Sequence, residues 1–145
     1  AGKKVVFTNG CFDILHKGHV EYLAQAADLG DYLVVGINSD ASVRAQNKGA
    51  ERPINSIEGR STVLAALGFV DAVVEFDSNT PAKLIEQILP NVLVKGADYN
   101  PNQTDVRAKD YIVGREIVLE NGGAVKVIDL VQGYSTTNIV NKLSK

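Results

Sequence analysis

The stretch "KVVFTNGCFDILHKGHVEYLAQAADLGDYLVVGIN" (residues 4–38) contains the unit from which the fold is predicted. Its two ends, "KVVFT" (4–8) and "YLVVGIN" (32–38), are short runs rich in valine, typical of strands buried on both faces. Between them, "HVEYLAQAADLG" (19–30) has helical spacing of its apolar residues and ends at Gly30. A strand, a helix and a strand in this order predict a βαβ unit with parallel strands.

The rest of the chain repeats this alternation. Further strands are predicted at "VDAVVEF" (70–76), "NVLVKG" (91–96) and "AVKVID" (124–129). Further helices are predicted at "SIEGRSTVLAALG" (56–68), capped by Asn55 or Ser56, "TPAKLIEQILP" (80–90), capped by Thr80, "AKDYIVGREIVLENGG" (108–123), ending at Gly122, and "STTNIVNKL" (135–143). We therefore expect an α/β fold: a Rossmann-like, doubly wound, five-stranded parallel sheet with helices on both faces. Ligands of such sheets bind beyond the carboxyl ends of the strands, where the strand order reverses.

The composition is that of an ordinary globular domain. With 145 residues, 45% of them hydrophobic, the chain is long enough for a core of its own, and we expect one domain over residues 1–145. Its 15 basic and 17 acidic residues nearly cancel, which predicts no general attraction for nucleic acid or for a membrane surface. A single cysteine rules out an internal disulfide, and no stretch resembles a signal peptide or a membrane span. These features predict a cytoplasmic protein.

Both histidines of the chain lie in "TNGCFDILHKGH" (8–19), between the first strand and the first helix. A helix N-terminus favours anions, because its free N–H groups and its dipole point at them. If the helix begins near Lys17, His16 and His19 reach the same side of this terminus. Gly18 between them leaves room for a phosphate against the backbone. Two imidazoles there can donate hydrogen bonds to phosphoryl oxygens and stabilise charge in a transition state.

Three other interpretations of these residues stay open at this stage. The histidines could be helix-start residues whose rings are satisfied by backbone carbonyls. Cys11 with both histidines could bind zinc, although a fourth ligand at suitable spacing is missing. A dinucleotide site would use Asp40 for a ribose hydroxyl, although neither a G-x-G-x-x-G loop nor a G-x-x-x-x-G-K-[ST] loop occurs in the chain.

A second group of polar residues lies in "GYSTTNIV" (133–140), after the fifth predicted strand. Ser135, Thr136 and Thr137 begin the last predicted helix, where such residues usually serve as caps. This helix starts at the same edge of the sheet as the histidine loop. A second helix N-terminus at that edge could hold further phosphates of a triphosphate.

Two weaker signals lie at the same edge. In "VKGADY" (94–99), Gly96 permits close approach of a flat base, and Asp98 can accept a hydrogen bond from a base or a sugar. The segment between the second and third predicted strands carries the basic residues Lys48, Arg52 and Arg60. Basic side chains on the ligand side of the sheet are candidates for binding an anion.

"HKGH" (16–19) after the first strand resembles the H-x-G-H signature of the cytidylyltransferase-like nucleotidyltransferases, and "GYSTTNIV" resembles their C-terminal phosphate-binding motif. More narrowly, five stretches spread along the chain resemble the adenylyltransferase domains of bacterial ADP-heptose synthases. These stretches are "FTNGCFDILHKGHVEYL" (7–23), "GINSDASV" (36–43), "RPIN" (52–55), "TPAKLIEQILPNVLVKGADY" (80–99) and "VQGYSTTNIV" (131–140).

This resemblance implies a reaction: transfer of AMP from ATP to D-glycero-D-manno-heptose 1-phosphate for lipopolysaccharide synthesis, releasing pyrophosphate, with Mg²⁺ carried by the triphosphate. It implies catalytic roles for His16 and His19 at the α-phosphoryl group and for Lys48 as a lysine that closes over the phosphates. The implied nucleotide-binding residues are Thr8, Asn9, Gly10, Phe12, Asp13, Gly18, Gly96, Asp98, Ser135, Thr136 and Thr137. Arg60 and Lys95 are implied as substrate or phosphate ligands, and no residue is implied as a metal ligand. Members of the family also occur as homodimers and as fusions to a sugar kinase. The resemblance therefore implies two candidate partners, a second copy of the chain and a sugar kinase.

Two alternative functions use the same residues. The related glycerol-3-phosphate cytidylyltransferases, which use CTP, carry an arginine three residues before the glycine of the C-terminal motif, where this chain has Leu130. Their loop after the fourth strand has two acidic residues and a tryptophan, against Ala97, Asp98 and Tyr99 here. Both differences favour the heptose branch. The second alternative is a module that binds ATP or NAD without turnover.

Overall fold

The computed structural model describes residues 2–144. Its strands are β1 (Val5–Gly10), β2 (Tyr32–Asn38), β3 (Ala72–Phe76), β4 (Val92–Gly96) and β5 (Ala124–Ile128). Its helices are α1 (Lys17–Ala27), α2 (Asp40–Ala45), α3 (Ile57–Ala65), α4 (Ala82–Ile88), α5 (Arg115–Glu120) and α6 (Thr136–Leu143). The strands are parallel and form one five-stranded sheet in the order β3-β2-β1-β4-β5. This confirms the predicted doubly wound parallel sheet.

Alternate residues of the strands pack into two hydrophobic cores, one on each face of the sheet. On one face, Val6 of β1 packs with Leu23 of α1 and Leu64 of α3. On the other face, the next residue, Phe7, packs with Ile85 of α4. Because side chains alternate along a strand, the valine-rich runs supply both cores at once. No helix among residues 2–144 is long and apolar enough to cross a membrane.

The predicted helix over residues 108–123 is wrong in its first half. Only Arg115–Glu120 is helical, because Gly114 before it has a φ of 92°, in the left-handed region. A side chain at Gly114 would also meet Ile85, since a Cβ there would lie 2.5 Å from Ile85 Cδ1. The backbone conformation that lets α5 pack against α4 therefore stops the helix from starting earlier.

Two other local details differ from the predictions. Pro81, not Thr80, is the N-cap of α4, and no side chain caps this helix. Helix α2, capped by Ser39 Oγ through the amide of Ser42, was not predicted at all. It has only six residues, too few for a helical pattern of apolar side chains to show.

The strand order reverses between β1 and β4. From β1 the chain moves outward through β2 and β3, then returns to β4 on the other side of β1. The carboxyl ends of β1 and β4, at Gly10 and Gly96, therefore flank the crevice where doubly wound sheets bind their ligands.

Candidate active site

Helix α1 begins at Lys17, and the residue that caps it is His16. His16 Nδ1 accepts a hydrogen bond from the amide of His19 (3.4 Å), and His19 Nδ1 accepts one from the amide of His16 (3.3 Å). The two rings are stacked, with centroids 3.8 Å apart. Because each Nδ1 is an acceptor, each neutral ring carries its hydrogen on Nε2. The backbone of the helix start thus holds both imidazoles side by side in one tautomer.

Both imidazoles are uncharged at neutral pH. Burial lowers the pKa of His19 to about 4, and the nearby His16 and Lys48 lower it as well. Burial also lowers the pKa of His16. The pair can therefore donate hydrogen bonds, and an anion placed beside it would favour protonation.

A second helix N-terminus opens onto the same space. Ser135 caps α6, its Oγ accepting a hydrogen bond from the amide of Asn138 (3.0 Å). The hydroxyl of Thr136 donates to the carbonyl of Ile14 in the loop after β1 (3.2 Å). This bond ties the start of α6 to the histidine loop, so both helix N-termini belong to one site.

One cavity of about 390 Å³ collects most of the residues predicted as site residues. This volume lies in the range of small-molecule sites. The predicted residues that line it are Asn9, Gly10, Phe12, Asp13, His16, Gly18, His19, Lys48, Lys95, Gly96, Asp98, Ser135, Thr136 and Thr137. Lining residues for which no role was predicted are Tyr22, Tyr99, Val131 and Tyr134; Cys11, considered above only as a zinc ligand, lines the cavity as well. Tyr99 and Tyr134 lie within two of the quoted motifs, "VKGADY" and "GYSTTNIV". Their place in these motifs is the sequence signal that could have identified them as lining residues.

Thr8, predicted as a nucleotide-binding residue, does not line this cavity. It is fully buried, and its hydroxyl shares a hydrogen bond of 2.7 Å with the hydroxyl of Tyr22. Its side chain therefore points from β1 toward α1. Thr8 thus holds the hydroxyl of the half-buried Tyr22, which also donates to the carbonyl of Val94.

The structure does not place Arg60, predicted as an anion ligand, at the large cavity. Its side chain is 0% exposed and does not line the large cavity. The guanidinium donates to the carbonyls of Asn55 (2.9 Å), Cys11 (2.9 Å) and Asn38 (2.8 Å), and to the Asp40 carboxylate (2.6 Å). Arg60 therefore joins the ends of β1 and β2 to the segment before α3, and its donors are directed at the protein.

Asp13 anchors the loop that carries Lys48. Its carboxylate accepts hydrogen bonds from Arg52 Nε (2.7 Å) and from the amides of Ile54 and Asn55 (2.8 Å each). Burial raises the pKa of Asp13, but these donors outweigh it, so the pKa lies below its ordinary value. In the part of the chain that the structure describes, no group of three or more His, Cys, Asp or Glu side chains could hold a metal ion.

Two lysines stand beside the end of β1. Lys48 Nζ lies 3.3 Å from the sulfur of Cys11. Lys95 Nζ donates to the carbonyl of Asn9 (3.2 Å) and lies 4.8 Å from the ring centroid of Tyr99. Burial lowers the pKa of Lys95 to about 8. With this pKa the ammonium form still predominates at neutral pH, so an anion that entered the cavity would meet a charged donor.

A parallel sheet that turns two helix N-termini and a histidine pair toward its switch point defines the nucleotidyltransferase class. The chain belongs to the Cytidylyltransferase-like family, whose family model matches residues 7–142.

The relatives of the chain are similar over almost its whole length. It is 57% identical over 141 residues to the bifunctional protein HldE of Campylobacter concisus, covering 97% of this chain and 27% of that one. It is 56% identical over 142 residues to the bifunctional protein HldE of Pseudomonas paraeruginosa, covering 98% and 28%. The chain thus spans little more than a quarter of the length of these relatives.

A solved structure shares the fold. The crystal structure of the lipopolysaccharide core biosynthesis protein from Thermoplasma volcanium superposes with a TM-score of 0.67 at 26% sequence identity. The match covers 92% of this chain and all of that one.

Proposed function

We propose that this chain transfers AMP from MgATP to D-glycero-D-manno-heptose 1-phosphate, giving ADP-heptose and pyrophosphate. The observation that carries the proposal is the stacked pair of His16 and His19 at the start of α1, in one cavity with the start of α6. The choice of sugar rests on the motifs that resemble ADP-heptose synthases and on the identity of 57% to an HldE protein. The name of the Thermoplasma neighbour, a lipopolysaccharide core biosynthesis protein, supports the same pathway.

In the proposed reaction, a phosphate oxygen of the sugar 1-phosphate attacks the α-phosphorus of ATP. The bond from this phosphorus to the oxygen that bridges to the β-phosphate breaks, and pyrophosphate leaves with the electron pair. The attacking phosphate is already an anion at neutral pH, so no general base is required. Such a reaction depends on positioning and on charge stabilisation.

His16 and His19 supply that stabilisation by donating from Nε2 to the non-bridging oxygens of the α-phosphate. Their fixed tautomer means that the donors need not reorganise during the reaction. Ser135, Thr136 and Thr137 at the start of α6 bind the β- and γ-phosphates. Lys48 closes over the phosphates. The hydrogen bonds and charges described here stabilise the transition state more strongly when water is excluded from the cavity.

Mg²⁺ enters as part of the substrate. The Asp13 carboxylate is already engaged by Arg52, Ile54 and Asn55, whereas the exposed Asp98 is the free carboxylate of the cavity. These residues suit an ion held mainly by the triphosphate and water. The base lies along Gly96, where a Cβ would come within 2.8 Å of Leu130 Cδ2 and 2.9 Å of Asp98 Oδ1.

We also propose that the chain works beside a sugar kinase. The HldE relatives are named bifunctional and are more than three times as long as the matched segment, and a kinase would make the sugar phosphate that the reaction consumes. A cytoplasmic setting fits the free thiol of Cys11, because glutathione and thioredoxin keep thiols reduced there.

The first test is pyrophosphate release with Mg²⁺, with ATP and CTP tried separately against both anomers of heptose 1-phosphate and against glycerol 3-phosphate. We expect release only with ATP and heptose 1-phosphate. Release with CTP and glycerol 3-phosphate would instead identify a cytidylyltransferase. No release in any combination would favour a nucleotide-binding module.

The second test replaces the histidines. His16→Ala and His19→Ala should each lower kcat by about 10²-fold or more, the loss seen when one preorganised donor is removed. Circular dichroism should show an unchanged fold. Asn102→Ala, an exposed position outside the cavity, is the matched control. Rates near wild type in either histidine variant would refute the assigned role.

A further inference from the structure

A second cavity, of about 140 Å³, opens beside the large one at the carboxyl edge of the sheet. Asn9, Lys95 and Tyr99 line both cavities, so the two meet at the ends of β1 and β4. The smaller cavity also reaches Asn79 and Thr80, just before α4. It therefore lies on the α4 side of the sheet, beside the phosphate-binding space.

The side chains that reach this cavity are polar where the sheet pattern requires apolar ones. In β1, Asn9 follows Phe7 by two residues, and in β4, Lys95 follows Leu93 by two. Residues two apart face the same side, so Asn9 and Lys95 point to the face whose core contains Phe7 and Leu93. Asn38 at the end of β2 lines the same cavity. Three adjacent strands thus end with polar residues above an apolar core.

Only part of the polar lining is engaged within the protein. Asn38 Nδ2 donates to the hydroxyl of Ser42 (3.0 Å), and Gln46 Oε1 accepts from the thiol of Cys11 (3.6 Å). Lys95 uses one of its three hydrogens on the carbonyl of Asn9. Within residues 2–144, the side chains of Asn9, Asn79 and Thr80 have no hydrogen-bond partner. Asn9 is half-buried, and Asn79 and Thr80 border the cavity at the surface, so a ligand in the cavity can reach the polar groups of all three.

The chemistry of the lining indicates what kind of ligand fits. Amides and a hydroxyl can both donate and accept, which is what vicinal hydroxyl groups require. The lining contains no aspartate or glutamate, so it does not suit a metal ion. Its volume is well under half that of the large cavity, which suits one sugar ring rather than a nucleotide.

We propose that this smaller cavity is the sugar subsite for the acceptor: Asn9, Asn79 and Thr80 bind the hydroxyl groups of a sugar phosphate whose phosphate lies at Lys95, where the cavities meet. This inference rests on the proposed function, because it assigns a place to the acceptor of that reaction. In this arrangement the acceptor phosphate reaches the α-phosphate from the α4 side, while the histidines contact it from the α1 side.

The test uses Asn79→Ala, Thr80→Ala and the double variant, since both positions are exposed and neither lies in the large cavity. We expect the KM for heptose 1-phosphate to rise at least about tenfold in the double variant. The Kd for MgATP, measured by calorimetry without acceptor, should stay within about twofold of wild type, as expected for separate subsites. Asn102→Ala, the same change at an exposed position outside both cavities, should change neither constant.

A second readout separates this inference from the proposed function. We measure binding of heptose 1-phosphate and of glycerol 3-phosphate to protein saturated with a non-hydrolysable ATP analogue. The double variant should lose affinity for heptose 1-phosphate but not for glycerol 3-phosphate, which lacks most of the hydroxyls. Equal binding of heptose 1-phosphate by wild type and double variant, or no binding to wild type, would overturn the subsite. If wild type binds it as expected but releases no pyrophosphate with it, the proposed reaction fails and the subsite stands.

Discussion

At the residue scale, His16 occupies an N-cap position where serine, threonine, aspartate or asparagine is usual. The imidazole performs the capping function through Nδ1 and keeps Nε2 as a donor. His19 Nδ1 accepts the equivalent hydrogen bond from the amide of His16, so each ring is oriented by the backbone of the other residue. A cap made of two histidines thus builds the preorganised donor pair before any ligand is bound.

Gly18 should tolerate no side chain without a loss of activity. An alanine Cβ there would lie 2.9 Å from His16 Cε1 and 3.1 Å from the Cβ of Tyr134, so the ring must move. We expect Gly18→Ala to lower kcat/KM at least about tenfold, because small displacements of positioned groups are costly. The free energy of unfolding should change by less than about 1 kcal/mol, because alanine is the better helix former.

The matched control for Gly18→Ala is Gly59→Ala, in the first turns of α3. The nearest atom to a Cβ at Gly59 is Ser56 Oγ, 4.0 Å away. This variant should keep wild-type kcat/KM, measured in the same assay of pyrophosphate release. Full activity of Gly18→Ala would show that the close contact with His16 has no catalytic importance.

The lowered pKa of His19 makes a prediction about stability. Its pKa is about 4 in the folded protein and near 6.5 in the unfolded chain, so only the unfolded chain takes up a proton between these values. The contribution to stability is complete above pH 6.5 and is lost as the pH falls toward 4. Urea unfolding of the ligand-free protein should show a loss between pH 7 and pH 5 that is about 1 kcal/mol smaller in His19→Gln. Identical losses in both proteins would contradict the assignment.

At the element scale, the site depends on two irregular segments: the loop after β1 and the segment between α2 and α3. Both are attached to the ends of β1 and β2. Asp13 in the loop after β1 binds Arg52, and both side chains are almost completely buried. Arg60 in α3 then binds the carbonyls of Cys11 and Asn38 at the same strand ends. These contacts hold the segment that carries Lys48 beside the cavity. The segment is irregular in secondary structure but is attached at defined points.

Arg60→Lys tests whether Arg60 serves the fold or an anion. Lysine keeps the charge but cannot reach three carbonyls and a carboxylate with one ammonium group. We expect the free energy of unfolding in urea to fall by about 2 kcal/mol or more. The Kd for MgATP of the folded variant should stay within about threefold of wild type.

The control for Arg60→Lys is the same change at Arg107, whose side chain is 90% exposed. Arg107→Lys should alter neither stability nor MgATP binding. If Arg60→Lys kept full stability and lost affinity for MgATP, the anion-binding role predicted from the sequence would be correct after all.

At the scale of the whole molecule, the sheet order decides which parts of the chain meet. The histidine loop follows β1, Lys95 and Gly96 end β4, and α6 follows β5. Because β1 and β4 are neighbours, these distant segments share one edge of the sheet. The site therefore exists only when the complete sheet is formed, which couples ligand binding to global stability.

This coupling predicts that MgATP stabilises the whole chain. A ligand that binds only the folded state at a concentration of 100 times its Kd adds about 2.7 kcal/mol. The Tm should rise by about 5–10 °C in differential scanning calorimetry. A chelator without nucleotide should leave the Tm unchanged. Stoichiometric zinc with unfolding on chelation would instead support the zinc interpretation of Cys11 and the histidines.

The sequence by itself determined the strand and helix alternation, the parallel sheet and the functional edge. These features are local: β2 was predicted with its observed bounds, and the histidine and serine-threonine motifs were found because caps and turns are read from neighbouring residues. The misjudged helix before Arg115 shows the limit of local reasoning, since Gly114 takes its conformation from packing against Ile85.

Only the tertiary structure decided which of the motif residues face the ligand. Thr8 and Asn9 are neighbours in one motif, yet Thr8 points to Tyr22 and Asn9 to the cavities, because side chains alternate across a strand. Arg60 is buried because the ends of two strands present carbonyls to it. Contacts of this kind depend on strand order and register. Because packing of the whole chain determines both, no single segment of the sequence predicts them.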